Sequence, residues 1–324
     1  MLAVIVSTHT PRGLARTLLG LGRQTSAPGV VVVTCDGENA DVRDIVLRSA
    51  ADWAFPVLLV MRAHQGEARL AQNRNNAVRA LLEHLPALAR EPERGAQVPV
   101  QLAFLDGDCC PAPDWCATHL HLAGKLVLAH RVELSPEQTE AFDESAVRAG
   151  RPPAAIASEQ LEALERRERR SARQLWLRRL GLNKAHKPKV LGANVSLPMG
   201  TFLAINGFDE GFAGWGAEDD DLARRAYAAG CKPALAVTLA IVYHQWHPTR
   251  APGSWHENAG AGRFKARLAA RCAQGLDAPK PQSEPRVEVV RDGLAALNEK
   301  LASGAGQRAP LSKRTGLAAE GVGP

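Results

Sequence analysis

Two acidic clusters and a pair of histidines carry the residue types that do chemistry in this chain. The first cluster is Phe104-Leu105-Asp106-Gly107-Asp108. Carboxylates at i and i+2 of an extended chain point the same way. Their hard oxygens suit Mg2+ or Mn2+, ions that keep open positions for phosphate oxygens. The same residues also make an ordinary Asp-Gly turn leading to a helix at Pro113-Asp114. The second cluster is Gly207-Phe208-Asp209-Glu210, followed by Gly214-Trp215-Gly216-Ala217-Glu218-Asp219-Asp220-Asp221. At a helix start the macrodipole keeps such acids ionised, the state needed by a base that takes a proton from a hydroxyl. An indole beside carboxylates offers a flat face for the apolar side of a sugar and acceptors for its hydroxyls. The plainer alternative is an acidic helix N-terminus with a core tryptophan. The third group is Tyr243-His244-Gln245-Trp246-His247-Pro248, where a histidine is either a metal ligand or an ordinary loop residue among ten. A fourth set is polar: Val6-Ser7-Thr8, Asp36-Gly37, Gly66 to Arg69 and Asn73-Arg74-Asn75. These groups could read a nucleotide base and its phosphates, or simply make turns and caps.

The elements that must position these groups alternate over the first 130 residues. Leu2–Thr8, Val30–Thr34, Val57–Met61 and Leu102–Leu105 are continuous apolar runs and read as buried strands, while Gly13–Arg23 and Glu67–Ala89 have helical spacing. Such strands between helices predict a mainly parallel sheet covered on both faces, with ligands at the carboxyl ends of its strands. Residues 135–189 read as a charged helical insertion. Strand character returns at Val190–Leu197, a helix is predicted from Glu218 to Gly230, and Ala234–Tyr243 reads as one further strand. From 261 the chain reads as a helical extension, and past Leu301 as a disordered tail. The organisation expected is one domain over 1–260, made of a donor half (1–132), the insertion (135–189) and an acceptor half (190–260), with the extension attached.

Composition narrows the classes. The 324 residues are 45% hydrophobic and 23% charged, which excludes wholesale disorder. Six cysteines without CxxC spacing argue against a zinc ribbon or disulfide framework. No run approaches the roughly 20 apolar residues of a membrane span, and the opening MLAVIVSTHT lacks a signal peptide's basic region. The expected location is therefore cytoplasmic, or peripheral on the inner face of the membrane. With 5% aromatic residues the chain lacks the interleaved aromatics of a nucleic-acid-binding stripe. The net charge of +6 is unevenly spread: residues 151–190 hold 11 basic and four acidic side chains, residues 263–324 hold 11 and six, and the rest is acidic. The insertion, running Arg166, Arg167, Arg169, Arg170, Arg173, Arg178 and Arg179 with Leu175, Trp176, Leu177 and Leu180 interspersed, reads either as a solvated helix face or as a contact for an anionic membrane or acceptor carrier.

Taken in order, the strand-ending Asp-Gly-Asp, then GANVSLP, then NGFDEGFAGWGAEDDDLARRAYAAG and the strand-ending YHQWH resemble the family 2 glycosyltransferases of the GT-A fold, with a galactosyltransferase-type segment toward the C-terminus. The likeness covers roughly residues 1–250. It implies an α/β, Rossmann-like GT-A sheet, a nucleotide-sugar donor (a UDP-sugar), a Mn2+ or Mg2+ ion, and transfer to a saccharide, lipid-linked or small-molecule acceptor. By that resemblance Asp108 is the direct metal ligand, with His244 the late ligand and His247 a second candidate. Asp106 meets the ribose or a metal-bound water, Asp219 is the catalytic base, Glu218 and Asp220 bind acceptor, and Trp215 is the acceptor platform. Arg74 lies on the helix bordering the nucleotide, and Thr8 and Asp36 join it on the donor side. The sequence departs from the pattern at Cys35-Asp36, where many relatives have two acids, and at Asn73, where alanine is usual. The implied reaction is a metal-dependent inverting displacement, in polysaccharide or glycolipid synthesis. Two alternatives stand beside it: a metal-dependent nucleotidyltransferase or phosphatase, and an inactive sugar-binding subunit.

Overall fold

The fold is that of a computed structural model, which describes residues 1–89, 100–153, 156–212, 214, 216–248, 259–265 and 269–303. Its frame is an eight-stranded sheet. Four strands form its centre: β1 (Leu2–Thr8), β2 (Val30–Asp36), β3 (Val57–Arg62) and β4 (Gln101–Asp106). These pair in parallel, in the spatial order β3-β2-β1-β4. Their runs are apolar throughout because both faces are covered. Along β1, Ala3 and Ile5 pack on one side with Phe104, Phe202 and Leu222, while Leu2, Val4 and Val6 pack on the other with Leu14, Leu18 and Val42. The first side is closed by α3 (Leu70–His84), α8 (Met199–Ala204) and α9 (Glu218–Ala228). The second is closed by α1 (Leu14–Gly22), α2 (Ala40–Ala50) and α4 (Trp115–His121). The mainly parallel, helix-flanked sheet is thus present.

Beyond β4 the sheet continues through β8 (Asn194–Pro198), β6 (Leu126–Leu128) and β9 (Pro233–Leu235), with β8 antiparallel to both neighbours. A second, three-stranded sheet has the order β5-β10-β7, from β5 (Cys109–Pro111), β10 (Val242–His244) and β7 (Arg131–Glu133). Two strand expectations change here. The run Ala234–Tyr243 is two strands in two different sheets, because the backbone turns at Ala236, whose carbonyl accepts from the amides of Leu239 and Ala240. The apolar crossover residues Ala236, Val237 and Ala240 are buried between the sheets, so the run stays apolar without staying extended. Likewise β8 begins at Asn194 and not at Val190; residues 190–193 turn toward the site instead, with the Asn194 amide donating to the Leu191 carbonyl.

The insertion contains α5 (Pro136–Ala141), α6 (Glu144–Arg148) and the long α7 (Ser158–Arg179). The segment read as a helical extension supplies α10 (Ala259–Lys265) and α11 (Leu294–Ala302), but also a strand, β11 (Arg286–Arg291), which pairs antiparallel with β3 as the outermost strand. Glu288 on β11 takes both arms of the Arg43 guanidinium at 2.8 and 2.7 Å. The expected tail beyond Ser303 lies outside the described residues. Among the described residues no helix is long and apolar enough to cross a membrane.

Candidate active site

The chemistry-bearing residues gather where the central strands end. Register does the first part of the work. Asp106 sits opposite Ser7 across the β4–β1 ladder, and the Ser7 hydroxyl donates to its carboxylate at 3.1 Å. The next turn runs into β5, and β5–β10 pairing sets Cys109 opposite His244. The β10–β7 ladder sets His244 opposite Glu133. One short sheet therefore lines up Asp108, His244 and Glu133. The Gln245 side chain ties this corner to α1: its amide nitrogen donates to the Gly13 carbonyl at 3.0 Å, and Arg16 donates to its oxygen at 2.8 Å. Gly13 adopts φ +76°, and a Cβ there would come within 3.0 Å of the Asp108 Cα, so only glycine allows this approach.

Asp108, His244 and His247 bring their ligand atoms within 4.8 Å of one another. The His247 Nε2 is 3.1 Å and the His244 Nε2 3.5 Å from Asp108 Oδ2. On His244 the other nitrogen, Nδ1, meets Glu133 at 2.6 Å. A carboxylate that holds one imidazole nitrogen leaves the other free to bind a metal. The charges show what the corner favours. Burial works against a charged His244, but hydrogen bonds with Asp108 and Glu133 outweigh it and lift its pKa to about 9. Burial also opposes the Glu133 charge, and His244 and Arg131 overcome it, lowering Glu133 to about 2. The corner thus stabilises positive charge between the imidazoles and Asp108. Its one carboxylate and two imidazoles make a donor set that fits a divalent transition ion. The structure brings both candidate histidines to the same point beside Asp108. Cys109 and Cys110 are buried, and burial raises both thiols, Cys110 to about 12; they are inert packing residues.

The second half of the site is built around one guanidinium. Arg74, on α3, is 2% exposed and contacts three acids: Asp106 at 3.1 Å, Asp219 at 3.1 Å and Glu218 at 3.4 Å. The backbone amide of Gly192 donates to Asp219 at 2.7 Å. A Cβ at Gly192 would collide with the Asp219 carboxylate and lie 2.7 Å from Arg74 Nη1, so this close approach requires glycine. Burial raises Asp219, with Arg74 and the Gly192 amide pulling the other way. Burial, with repulsion from Asp219, raises Glu218 to about 8 despite Arg74.

The four consecutive acids divide by role. Glu218 and Asp219 face Arg74. Asp220 pairs with Lys189 at 2.5 Å, and its Oδ1 is buried without a hydrogen-bond partner. Asp221 is fully buried, bonded to Arg225 and Arg224 at 2.7 Å each, and serves the fold. So does Glu210, a buried partner of Arg79, Gln72 and Asn75. Ala217, just before α9, adopts φ +75°, a strained conformation for a residue with a Cβ. Trp215 lies outside the described residues, although its neighbour Gly214 is held by its backbone amide, which donates a hydrogen bond to the Ala68 carbonyl at 2.9 Å.

On the donor side Asp36 pairs with the buried Arg62 at 2.6 Å and accepts from the Arg69 amide at 3.2 Å. Thr8 turns inward to bond the Thr10 carbonyl at 2.7 Å. A cleft of about 340 Å3 runs beside Asp106, Arg74 and the acids 218–220, and its far wall belongs to α7 and to residues 187–191. The residues that sequence reasoning missed are Glu133, Arg62 and Gly192, while the basic insertion was singled out without showing that Arg167 and Arg170 line this cleft. The one signal among the missed three was Arg62, a charge ending an apolar strand run.

Residues 182–248, which contain Gly192, the acidic run and both histidines, match the family described as the N-terminal domain of galactosyltransferase. The chain is 31% identical over 250 residues to validoxylamine A glucosyltransferase of Streptomyces hygroscopicus subsp. limoneus, covering 71% of this chain and 48% of that protein. It is 30% identical to the protein of the same name from subsp. jinggangensis, covering 71% and 52%. The chain therefore spans about half the length of the curated relatives it matches. Among solved structures, the crystal structure of GalNAc-T7 with UDP, GalNAc and Mn2+ aligns with a TM-score of 0.45 and 12% identity, over 78% of this chain and 44% of that one. Over residues 182–248 the chain is thus similar to a galactosyltransferase-type segment, and over 250 residues to two glucosyltransferases.

Proposed function

We propose that the chain is an inverting, metal-dependent glycosyltransferase that moves a sugar from a nucleotide-sugar to an acceptor hydroxyl. The observation that carries this reading is a metal-type corner at Asp108, His244 and His247 that follows directly on Asp106, which Arg74 joins to Asp219, a half-buried carboxylate opening on a cleft. Asp108, His244 and His247 would hold the ion, and two imidazoles favour Mn2+ over Mg2+. When bound, the ion supplies Lewis-acid stabilisation of a leaving diphosphate. Glu133 keeps the His244 ring oriented for that role. Arg74 holds Asp106 and Asp219 in fixed relation, and Asp106 remains available to a ribose or to a metal-bound water. Asp219, its proton affinity raised by burial, is suited to take the acceptor proton. Glu218 and Asp220 flank it as acceptor contacts, with Trp215 as the platform. Asp36 and Thr8, with Arg74, border the donor.

The relatives' printed names make a nucleotide-linked glucose the first donor to test. The acceptor class is a saccharide, a lipid-linked sugar or a small molecule, in polysaccharide or glycolipid synthesis. Six cysteines without disulfides suit a cytoplasmic setting. Trp176 (58% exposed) and Leu182 (71%) near the end of α7 suit peripheral contact with a membrane surface. The deciding experiment is a Mn2+-supplemented screen of UDP- and GDP-sugars for donor hydrolysis. Release of nucleoside diphosphate that disappears in Asp108→Ala is expected. Release of pyrophosphate instead would point to nucleotidyl transfer, and no turnover with any donor would point to an inactive sugar-binding subunit.

A further inference from the structure

The cleft beside Asp219 has charges that do not cancel. Its carboxylates are already engaged: Asp106, Glu218 and Asp219 by Arg74, and Asp220 by Lys189. Its opposite wall is cationic. Arg167 and Arg170 of α7 and Lys187 line the cleft, and among the described residues none of their side chains has an ion pair or hydrogen bond. The acids of α7 do not serve them. Glu162 and Glu165 pair one turn ahead with Arg166 and Arg169, neither of which lines the cleft. Glu168 is used to accept the Thr238 amide at 3.0 Å.

The wall is also built in. Leu164 is buried against Val132, Leu134, Val237 and Tyr243. The Arg178 guanidinium lies 3.9 Å over the Tyr227 ring and donates to the carbonyls of Ala185 and Lys187 at 3.0 and 3.1 Å. Tyr227 in turn donates to the Pro188 carbonyl at 2.8 Å. The cations are therefore held against one another. Burial and the neighbouring Arg170 lower the proton affinity of both Arg167 and Lys187, although Glu133 and Asp220 pull the other way.

We propose that the acceptor seated in this cleft carries a phosphate group, held between Arg167, Arg170 and Lys187 while its hydroxyl faces Asp219. This rests on the glycosyltransferase reading and names the acceptor class for it. Asp106 and Arg74, assigned to the donor, line one side of the cleft, but Asp108, His244 and His247, which would hold the donor diphosphate through the ion, do not. Guanidinium groups match phosphate oxygens in paired, charge-assisted hydrogen bonds. The phosphate belongs either to a soluble sugar phosphate or to a lipid headgroup.

Calorimetry on the full chain tests it with four probes: glucose 1-phosphate, methyl glucoside, and phosphatidylcholine vesicles with and without phosphatidic acid. The double variant Arg167→Ala/Arg170→Ala is compared with Arg173→Ala/Arg179→Ala, two basic residues of α7 that do not line the cleft, and melting temperatures check that both fold. We expect glucose 1-phosphate, or the phosphatidic acid vesicles, to bind at least about tenfold more tightly than the phosphate-free partner probe. That preference is expected to vanish in the 167/170 variant and to survive in the 173/179 variant. The arm that shows it identifies the source as soluble or lipid-borne. Absence of preference in both arms, its survival in the 167/170 variant, or its equal loss in both variants would overturn the proposal. UDP and GDP titrated with Mn2+ into the same wild-type sample check the underlying reading separately. If neither binds, the glycosyltransferase reading fails on its own, whatever the phosphate probes show.

Discussion

The metal-type corner and the base-side cleft floor hold charge in different ways. At the corner, two backbone ladders set His244 opposite Cys109 and Glu133, with Asp108 just before β5, and each charge has a partner of opposite sign within 2.6 to 3.5 Å. At the floor, three carboxylates depend on one guanidinium, and the next residue along, Ala217, is in a strained conformation. The first arrangement is redundant and tolerates the loss of a member. The second concentrates its electrostatics in Arg74, the one guanidinium that offsets part of the burial raising Glu218 and Asp219.

The strongest break of this contrast is Arg74→Ala. It leaves buried acids without a counter-charge, and we expect a stability loss of about 3–5 kcal/mol, read as a fall in urea midpoint; a loss no greater than that of His247→Ala would contradict the contrast. Asp219→Asn comes next. It should cut sugar transfer by about 10²–10⁴ while UDP–Mn2+ binding stays near wild type, and transfer at the wild-type rate would remove Asp219 from the role of base. Glu133→Gln probes the redundant end, with Mn2+ affinity expected to fall by about 10–100-fold and the fold unchanged.

The smallest effect concerns pH. Because burial lifts Glu218 to about 8, the folded state holds that proton more tightly than the unfolded chain does. Its contribution to stability is full below the ordinary glutamate range and is lost as pH rises toward 8 and beyond. Melting temperature should therefore decline over that interval in the wild type and decline less in Glu218→Gln. Identical slopes would mean that Glu218 is not buried as a neutral acid.

Much of the frame could be read in advance because the central strands are covered on both faces, and a doubly buried strand leaves an unbroken apolar run such as Val30 to Val33. Asp106, Asp108 and the run from Glu218 to Asp221 stood out because they interrupt or follow such runs. Glu133 did not, since β7 is three residues long and its role comes from pairing with a strand more than 100 residues away. Gly192 is visible as a glycine, but its need to be one arises only where Asp219 and Arg74 meet it. The charge density of α7 was plain, but which arginines face the cleft depends on how Leu164 and Glu168 dock the helix. The run Ala234–Tyr243 misled because a buried crossover and a buried strand are equally apolar.

The outermost strand of the large sheet has a practical meaning for anyone shortening the protein. β11 comes from residues 286–291 and covers β3, whose residues Val57 to Arg62 are all buried. A chain ending near residue 260 would keep every proposed catalytic group yet leave that flat apolar strand with its backbone donors and acceptors unpaired. Such an edge invites pairing with other molecules. The shortened protein should gather into sheet-rich aggregates during preparation, and its inactivity would then report lost solubility and not lost chemistry.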